Sequence, residues 1–232
     1  MKIGILGAMD QEVELLQQSL SELEVIQWAH LSFYCGKLHG VGVVVVKCGI
    51  GKVAAAVATA ELIDRFSPDY VVNTGSAGGF DSELNIGDLV IGTEVKHHDV
   101  DLTHFGYEPG QCAGMPAAYQ SDERLVVAAE QATVKQQGIK SKRGLICTGD
   151  SFIGSDEVAA RLRELFPQMA ACEMEGAAIA QTCHMLDTPF VIIRSLSDIA
   201  GKTSSMSFNQ YIEIAAKHSA ELVINMIDIL AD

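Results

Sequence analysis

Residues 41–46, Val-Gly-Val-Val-Val-Val, leave a chain few places to put them. Branching at Cβ favours an extended backbone, and successive side chains of a strand point to opposite faces. A run that is apolar at nearly every position therefore has no face to offer water. It belongs inside a sheet covered on both sides, the arrangement found in α/β proteins. The run is far too short to cross a bilayer, which takes about 20 apolar residues as a helix.

The covering helices alternate with further short strands. Lys2 to Leu6 is β-like and is followed by the turn Gly7-Ala8-Met9, and Asp10 can cap a helix from Gln11 to about Leu20. Phe33 to Leu38 and Val41 to Cys48 are strands about the turn His39-Gly40. After Gly49-Ile50-Gly51-Lys52, an Ala-rich helix runs from Val53 to Phe66. Tyr70 to Asn73 is a strand opening into a loop, Thr74 to Gly79, and Asp88 to Val95 is another strand. Lys96 to Ala118 is irregular and too long for a plain connector, which suggests a functional loop or a subunit contact. Asp122 to Gln137 is an amphipathic helix, and Arg143 to Cys147 is a strand. Asp156 caps a helix to Phe166, and Met169 to Cys172 leads into a small-residue helix ending near Met185. Pro189 to Arg194 is a strand ending in the segment Ser195 to Asp198, and Ser207 caps the last helix. With no repeats or low-complexity linkers, the alternation predicts one three-layer α/β domain over residues 1–232.

The balance of 16 basic against 30 acidic residues, without a Lys/Arg cluster, makes nucleic acid and anionic membranes poor partners. The six cysteines form no CxxC pair and no zinc-like spacing. Gly7 and Asp10 interrupt the first apolar segment, so no signal peptide is visible and a cytoplasmic location is expected.

In such sheets ligands collect at the carboxyl ends of the strands. That rule selects Met9 to Glu12, Gly49 to Gly51, Gly75 to Gly79, Phe152 and Ile153, Glu173 to Glu175, and Ser197 with Asp198. The set is rich in Gly and Ser, holds several acids and has little Lys or Arg. It suits a neutral, hydroxyl-rich ligand better than a phosphate. Glu173 and Glu175 stand where a strand hands over to a helix, where free N–H groups favour negative charge. Either both belong to the first helical turn, or one points into a pocket as an acceptor. Glu12, Glu175 and Asp198 are individually the kind of acid that caps a helix or meets solvent; together, among glycine-rich loops, they make a site.

Other motifs lead less far. Gly49-x-Gly51-x-x-Ala54 resembles a dinucleotide fingerprint, but the next strand ends in Asn73-Thr74 rather than an acid, and Lys52 is followed by Val53 rather than a P-loop hydroxyl. His97, His98, Asp99, Asp101 and His104 are potential metal ligands without a recognised spacing, and a hydrogen-bonded surface is the commoner fate of such a loop. Ser76 and Ser197 lie in no G-x-S-x-G elbow, so an orienting role fits them better than nucleophilic attack. Phe105, Phe152 and Phe208 could be core residues or, as a group, the apolar walls of a pocket.

These segments together resemble the 5′-methylthioadenosine/S-adenosylhomocysteine nucleosidases of the nucleoside phosphorylase-like superfamily. The likeness rests on residues 3–9 with Glu12, on 49–55 and 73–79, and on Gly149-Asp150 with Phe152-Ile153. It extends to Glu173-Met174-Glu175, to 194–198, and to His98-Asp99-Val100-Asp101 with Phe105-Gly106-Tyr107. The resemblance implies an α/β/α sandwich with a mixed central sheet, working as a homodimer without metal or organic cofactor. It implies hydrolysis of the N-glycosidic bond of an adenine thio-nucleoside, with a place in methionine salvage and in clearing a methyl-cycle by-product. Carried over by position, Glu12 is the general base for water, and Asp198, oriented by Ser197, is the acid that protonates adenine N7. That role leads us to expect burial to raise the pKa of Asp198. Glu175 accepts from the ribose hydroxyls beside Met174. Ile153 binds adenine through its backbone and Phe152 stacks on it, while Ser76, Ala77 and Gly78 line sugar and base. Met9, Ile50 and Phe208, with Phe105 from the partner subunit, form the 5′-alkylthio pocket. The alternatives are a phosphate-dependent nucleoside phosphorylase, against which Glu12 would repel phosphate, and a nucleoside-binding sensor without turnover, which would need neither Glu12 nor Asp198.

Overall fold

The computed structural model describes residues 1–136, 138–199 and 208–231, with side chains at all of these except 199 and 208–210. Ser207, expected to cap the last helix, lies outside the described residues. The strands are β1 (Lys2–Gly7), β2 (Ser21–Trp28), β3 (Leu31–Leu38), β4 (Val41–Lys47), β5 (Tyr70–Gly79), β6 (Leu89–His97), β7 (Tyr119–Gln120), β8 (Ser141–Thr148), β9 (Met169–Glu173) and β10 (Phe190–Ile199). The helices are α1 (Asp10–Gln18), α2 (Lys52–Phe66), α3 (Glu123–Val134), α4 (Asp156–Leu165), α5 (Gly176–Met185) and α6 (Phe208–Ala231). A single 3₁₀ turn, Thr103–Phe105, interrupts the long irregular segment after β6.

The strands form one mixed sheet in the order β10-β6-β8-β9-β5-β1-β4-β3-β2, with β7 on β6. Strand β10 also pairs with β5, in parallel, so β5, β10, β6, β8 and β9 close into a ring. The joint between β5 and β9 is the shortest in that ring: Gly78 meets Cys172 and Gly79 meets Ala171.

The valine strand β4 sits between β1 and β3, and its side chains divide as the alternation requires. Val43 and Val45 pack with α1 and α6, while Val44 and Val46 pack with α2. Fully burying each of these side chains contributes about 1.5–3 kcal/mol. Helices α2 and α5 cover one face of the sheet; α1, α3 and α6 cover the other. Gly4 lets α2 come close, since a Cβ there would lie 2.7 Å from Leu62 Cδ2. Helix α4 closes a smaller apolar cluster in which Leu162 and Phe166 meet Leu145, Cys147, Met169 and Cys172.

Several local expectations are corrected. Thr74 to Gly79 is not a loop but the end of β5, and it pairs with Ser195 to Asp198, the end of β10, through Ser76–Ser195, Ala77–Leu196 and Gly78–Asp198. Ring closure gives each of these polar backbones a ladder partner, and that outweighs the weak strand preference of Gly and Ser. Strand β2 is exposed along nearly its whole length, and its alternation, Glu22-Leu23-Glu24-Val25, breaks at Ile26. Asp10 is the first helical residue of α1 rather than its cap. Helix α4 is capped by Ser155, whose side chain accepts from Val158 N–H, with Asp156 in the first turn.

Candidate active site

The carboxyl ends of β1, β5, β8, β9 and β10 open into one cavity. Its wall contains Met9, Glu12, Ile50, Ser76, Ala77, Gly78, Phe152, Ile153, Met174, Glu175, Ser197 and Asp198, all singled out from the sequence. It also contains Glu173, which the strand-end rule selects, and Ala8, Phe80, Ser151 and Cys172, which sequence reasoning did not assign to a ligand. Phe80 and Cys172 look like core residues on any pattern argument; only the ring of strands turns them toward the cavity. Phe105 is 73% exposed on the 3₁₀ turn and does not line the cavity of its own chain. The side chain of Phe208 lies outside the described residues.

Glu12 is buried, and both of its oxygens are occupied. Oε2 accepts from Ala8 N–H at 2.7 Å and Met9 N–H at 3.2 Å, and Oε1 accepts from Ser76 N–H at 3.0 Å and the Ser76 hydroxyl at 3.2 Å. The first pair comes from the turn into α1, the second from β5, so the carboxylate is gripped from a turn and a strand. Gly75 makes room for it: a Cβ there would fall 2.7 Å from Glu12 Oε1 and 3.0 Å from Arg194 Nη1.

Asp198 owes its direction to an irregularity in β10. The pairing with β5 shifts between Leu196 and Asp198, leaving Ser197 as an extra residue. Neighbouring residues of a regular strand face opposite ways, whereas a bulge re-aims them. Here both Ser197 and Asp198 line the cavity. The Ser197 hydroxyl lies 2.9 Å from Asp198 Oδ1 and 3.1 Å from the Ala77 carbonyl, two acceptors for its one proton.

Beneath the cavity, Arg194 is 1% exposed. Its Nη2 donates to Glu173 and, at 2.6 Å, to Asn73 Oδ1; Glu175 Oε2 stands 3.7 Å away. Glu173 also accepts from the Thr148 hydroxyl and, through Oε2, from Glu175 N–H at 3.0 Å and Gly176 N–H at 2.7 Å. It therefore closes the N-terminus of α5 while holding the guanidinium. Burial alone would raise its pKa, but the Arg194 charge and these hydrogen bonds prevail and lower it. Glu175 is the opposite case. Burial raises its pKa, the Glu173 charge adds to the effect, and Arg194 with the 2.9 Å bond from Gly51 N–H only partly offsets it.

That contrast has a stability consequence. A carboxyl that ionises later in the folded chain than in the unfolded one opposes folding once pH rises above the ordinary Glu value. Glu175→Gln should therefore raise the unfolding temperature near pH 8 and leave it unchanged near pH 4, as a pair of thermal melts would show.

Three side chains of the histidine-rich loop are engaged in local bonds. His97 Nε2 is 3.0 Å from Gln181 Oε1, Asp101 accepts from Thr103 N–H and hydroxyl, and Asp99 pairs with Lys52.

A ringed mixed sheet with this cavity defines a member of the phosphorylase superfamily, and residues 2–228 match that family. The sequence is 56% identical, over 228 residues, to the 5′-methylthioadenosine/S-adenosylhomocysteine nucleosidase of Psychromonas ingrahamii, covering 98% of this chain and 99% of that one. The crystal structure of the corresponding nucleosidase from Colwellia psychrerythraea in complex with adenine is similar with a TM-score of 0.94 and 56% identity, covering 98% of this chain and 94% of that one. The Neisseria meningitidis nucleosidase in complex with methylthio-immucillin-A gives a TM-score of 0.95 at 46% identity, covering 98% and 99%. The chain belongs to the phosphorylase superfamily and, within it, to the 5′-methylthioadenosine/S-adenosylhomocysteine nucleosidases, which makes it an N-glycoside hydrolase.

Proposed function

We propose that the chain hydrolyses the N-glycosidic bond of 5′-methylthioadenosine, S-adenosylhomocysteine and 5′-deoxyadenosine, releasing adenine and the 5-substituted ribose. Adenine lies at the Asp198 end against Phe152 and the Ile153 backbone, and the ribose hydroxyls bond to Glu175 beside Met174. Met9 and Ile50 meet the 5′ substituent, with Phe208 and the partner's Phe105 completing that pocket in a homodimer. Asp198, held by Ser197, gives its proton to N7, so adenine leaves as a neutral base. Departure of the base puts positive charge on the sugar, and Glu12 and Glu175 stabilise it electrostatically. Glu12 then takes a proton from the water attacking the anomeric carbon. No metal or organic cofactor enters this scheme. The setting is the cytoplasm; no helix among the described residues is long and apolar enough to cross a membrane.

The observation that carries this reading over phosphorolysis is the charge of the cavity. Glu12, Glu173, Glu175 and Asp198 line it, no described Lys or Arg does, and Arg194 beneath is already engaged by Glu173. Phosphate would meet carboxylates where it needs cations; water needs only a base. Adenine release from 5′-methylthioadenosine should proceed at full rate in phosphate-free buffer, with free 5-methylthioribose as the second product. Dependence on added phosphate, with a sugar 1-phosphate formed, would establish the phosphorylase reading instead.

A further inference from the structure

The N-terminus of α2 is held by carboxylates from two distant loops, and these loops flank the two halves of the cavity. Gly51, which precedes the helix, has no side chain to cap it. Asp150 does so from across the fold: its Oδ1 accepts from Lys52 N–H at 2.8 Å. One residue earlier, Gly51 N–H donates to Glu175 Oε1 at 2.9 Å. The same helix end thus fixes Glu175 and the residue immediately before Ser151, Phe152 and Ile153.

Asp99, from the loop after β6, ties the arrangement together. Its Oδ1 pairs with Lys52 Nζ at 2.6 Å, and its Oδ2 accepts from Asp150 N–H at 2.9 Å. The approach of the two loops is close. His98 N–H donates to the Thr148 carbonyl at 2.8 Å, and a Cβ on Gly149 would lie 2.3 Å from the His98 ring. Three bonds hold the set together: Lys52 N–H to Asp150, Lys52 Nζ to Asp99, and Asp150 N–H to Asp99. An isolated exposed ion pair contributes little, but here two of the three bonds end on backbone N–H groups of the segments to be positioned.

We propose that Asp99, Lys52 and Asp150 form a clasp that sets the adenine-binding segment Ser151–Ile153 at a fixed distance from Glu175. Asp150 and Asp99 are then positioning residues for binding of the base; neither lines the cavity. The proposal rests on the reading of Phe152 and Ile153 as the adenine subsite.

Adenine itself is the probe, with its dissociation constant measured by calorimetry alongside steady-state kinetics on 5′-methylthioadenosine. Asp150→Ala should weaken adenine binding and raise KM by roughly fivefold to tenfold, the equivalent of one lost helix cap. The kcat should change less than about threefold, because Glu12 and Asp198 are held by other strands. Asp150→Asn, which keeps the acceptor, should restore most of the affinity, and Asp99→Asn should give a smaller loss in the same direction. If Asp150→Ala does not fold, the Asp99→Asn measurement alone decides. Adenine affinity within twofold of the parent in the folded variants, or a loss confined to kcat, overturns the clasp. A parent protein that binds no adenine overturns the subsite reading on which it rests, and is distinguishable because no variant is then needed.

Discussion

Glu12→Gln should abolish nearly all turnover while the protein still folds and still binds adenine. A positioned general base typically supplies about 10²–10⁴-fold, and a neutral amide supplies none. The geometry makes the loss harder to evade than in most base sites. Each Glu12 oxygen accepts from a backbone N–H, Oε2 from Ala8 and Met9 and Oε1 from Ser76. Whichever way glutamine turns, its NH₂ group faces a donor, so the side chain cannot take the parent orientation without losing bonds on one side. Single-turnover adenine release under saturating substrate, together with adenine affinity, separates the effects. Turnover within tenfold of the parent would remove Glu12 from the role of base.

Arg194→Met should be the most destabilising single change to the cavity floor. Removing one partner of a buried ion pair typically costs about 3–5 kcal/mol, since the other charge stays buried without compensation. Here the orphan would be Glu173, with Glu175 beside it and both side chains almost wholly buried. For a chain of this size each kcal/mol corresponds to about 2–4 °C in Tm. The deficit should shrink as pH falls and the carboxylates become protonated, and Glu173→Gln in the same chain should recover part of it. Thermal melts across pH on the single and double variants provide the check. A midpoint within about 2 °C of the parent near neutral pH would mean that the pair carries no such energy.

The strands that could be read from the sequence are those whose side chains alone decide their fate. Lys2 to Leu6, Val41 to Cys48 and Pro189 to Arg194 are apolar at nearly every position, and burial on both faces follows. The last turns of β5 and β10 could not be read, because their Gly and Ser become strand only through pairing with each other. The acids of the site were legible as a set, since strand-to-helix transitions collect ligands and the family resemblance gave each a role. Of the two alternatives the sequence leaves open for Glu173 and Glu175, a place in the first helical turn fits Glu173, which accepts from Glu175 N–H and Gly176 N–H. Its second duty was not legible: the partner is an arginine at the end of a different apolar strand, and nothing in local pattern joins them. Asp99 and Asp150 were hidden for the same reason. Their partners lie far away in the chain: two are backbone amides, which any residue type could provide, and one is the Lys52 ammonium.

The position of β10 in the sheet bears on the order in which the molecule can be assembled. It is the last of the described strands to be synthesised, yet it lies between β5 and β6 rather than at an edge. A growing chain that has made β1 through β9 holds two apolar strand edges apart, each waiting for a neighbour still to emerge, and unpaired edges of this kind invite pairing with other chains. Glu12 is made near the start and Asp198 near the end, so the proposed catalytic pair is completed in the same event that removes those edges. Release from the hazard of a half-built sheet and the onset of activity are then one step in the life of the chain.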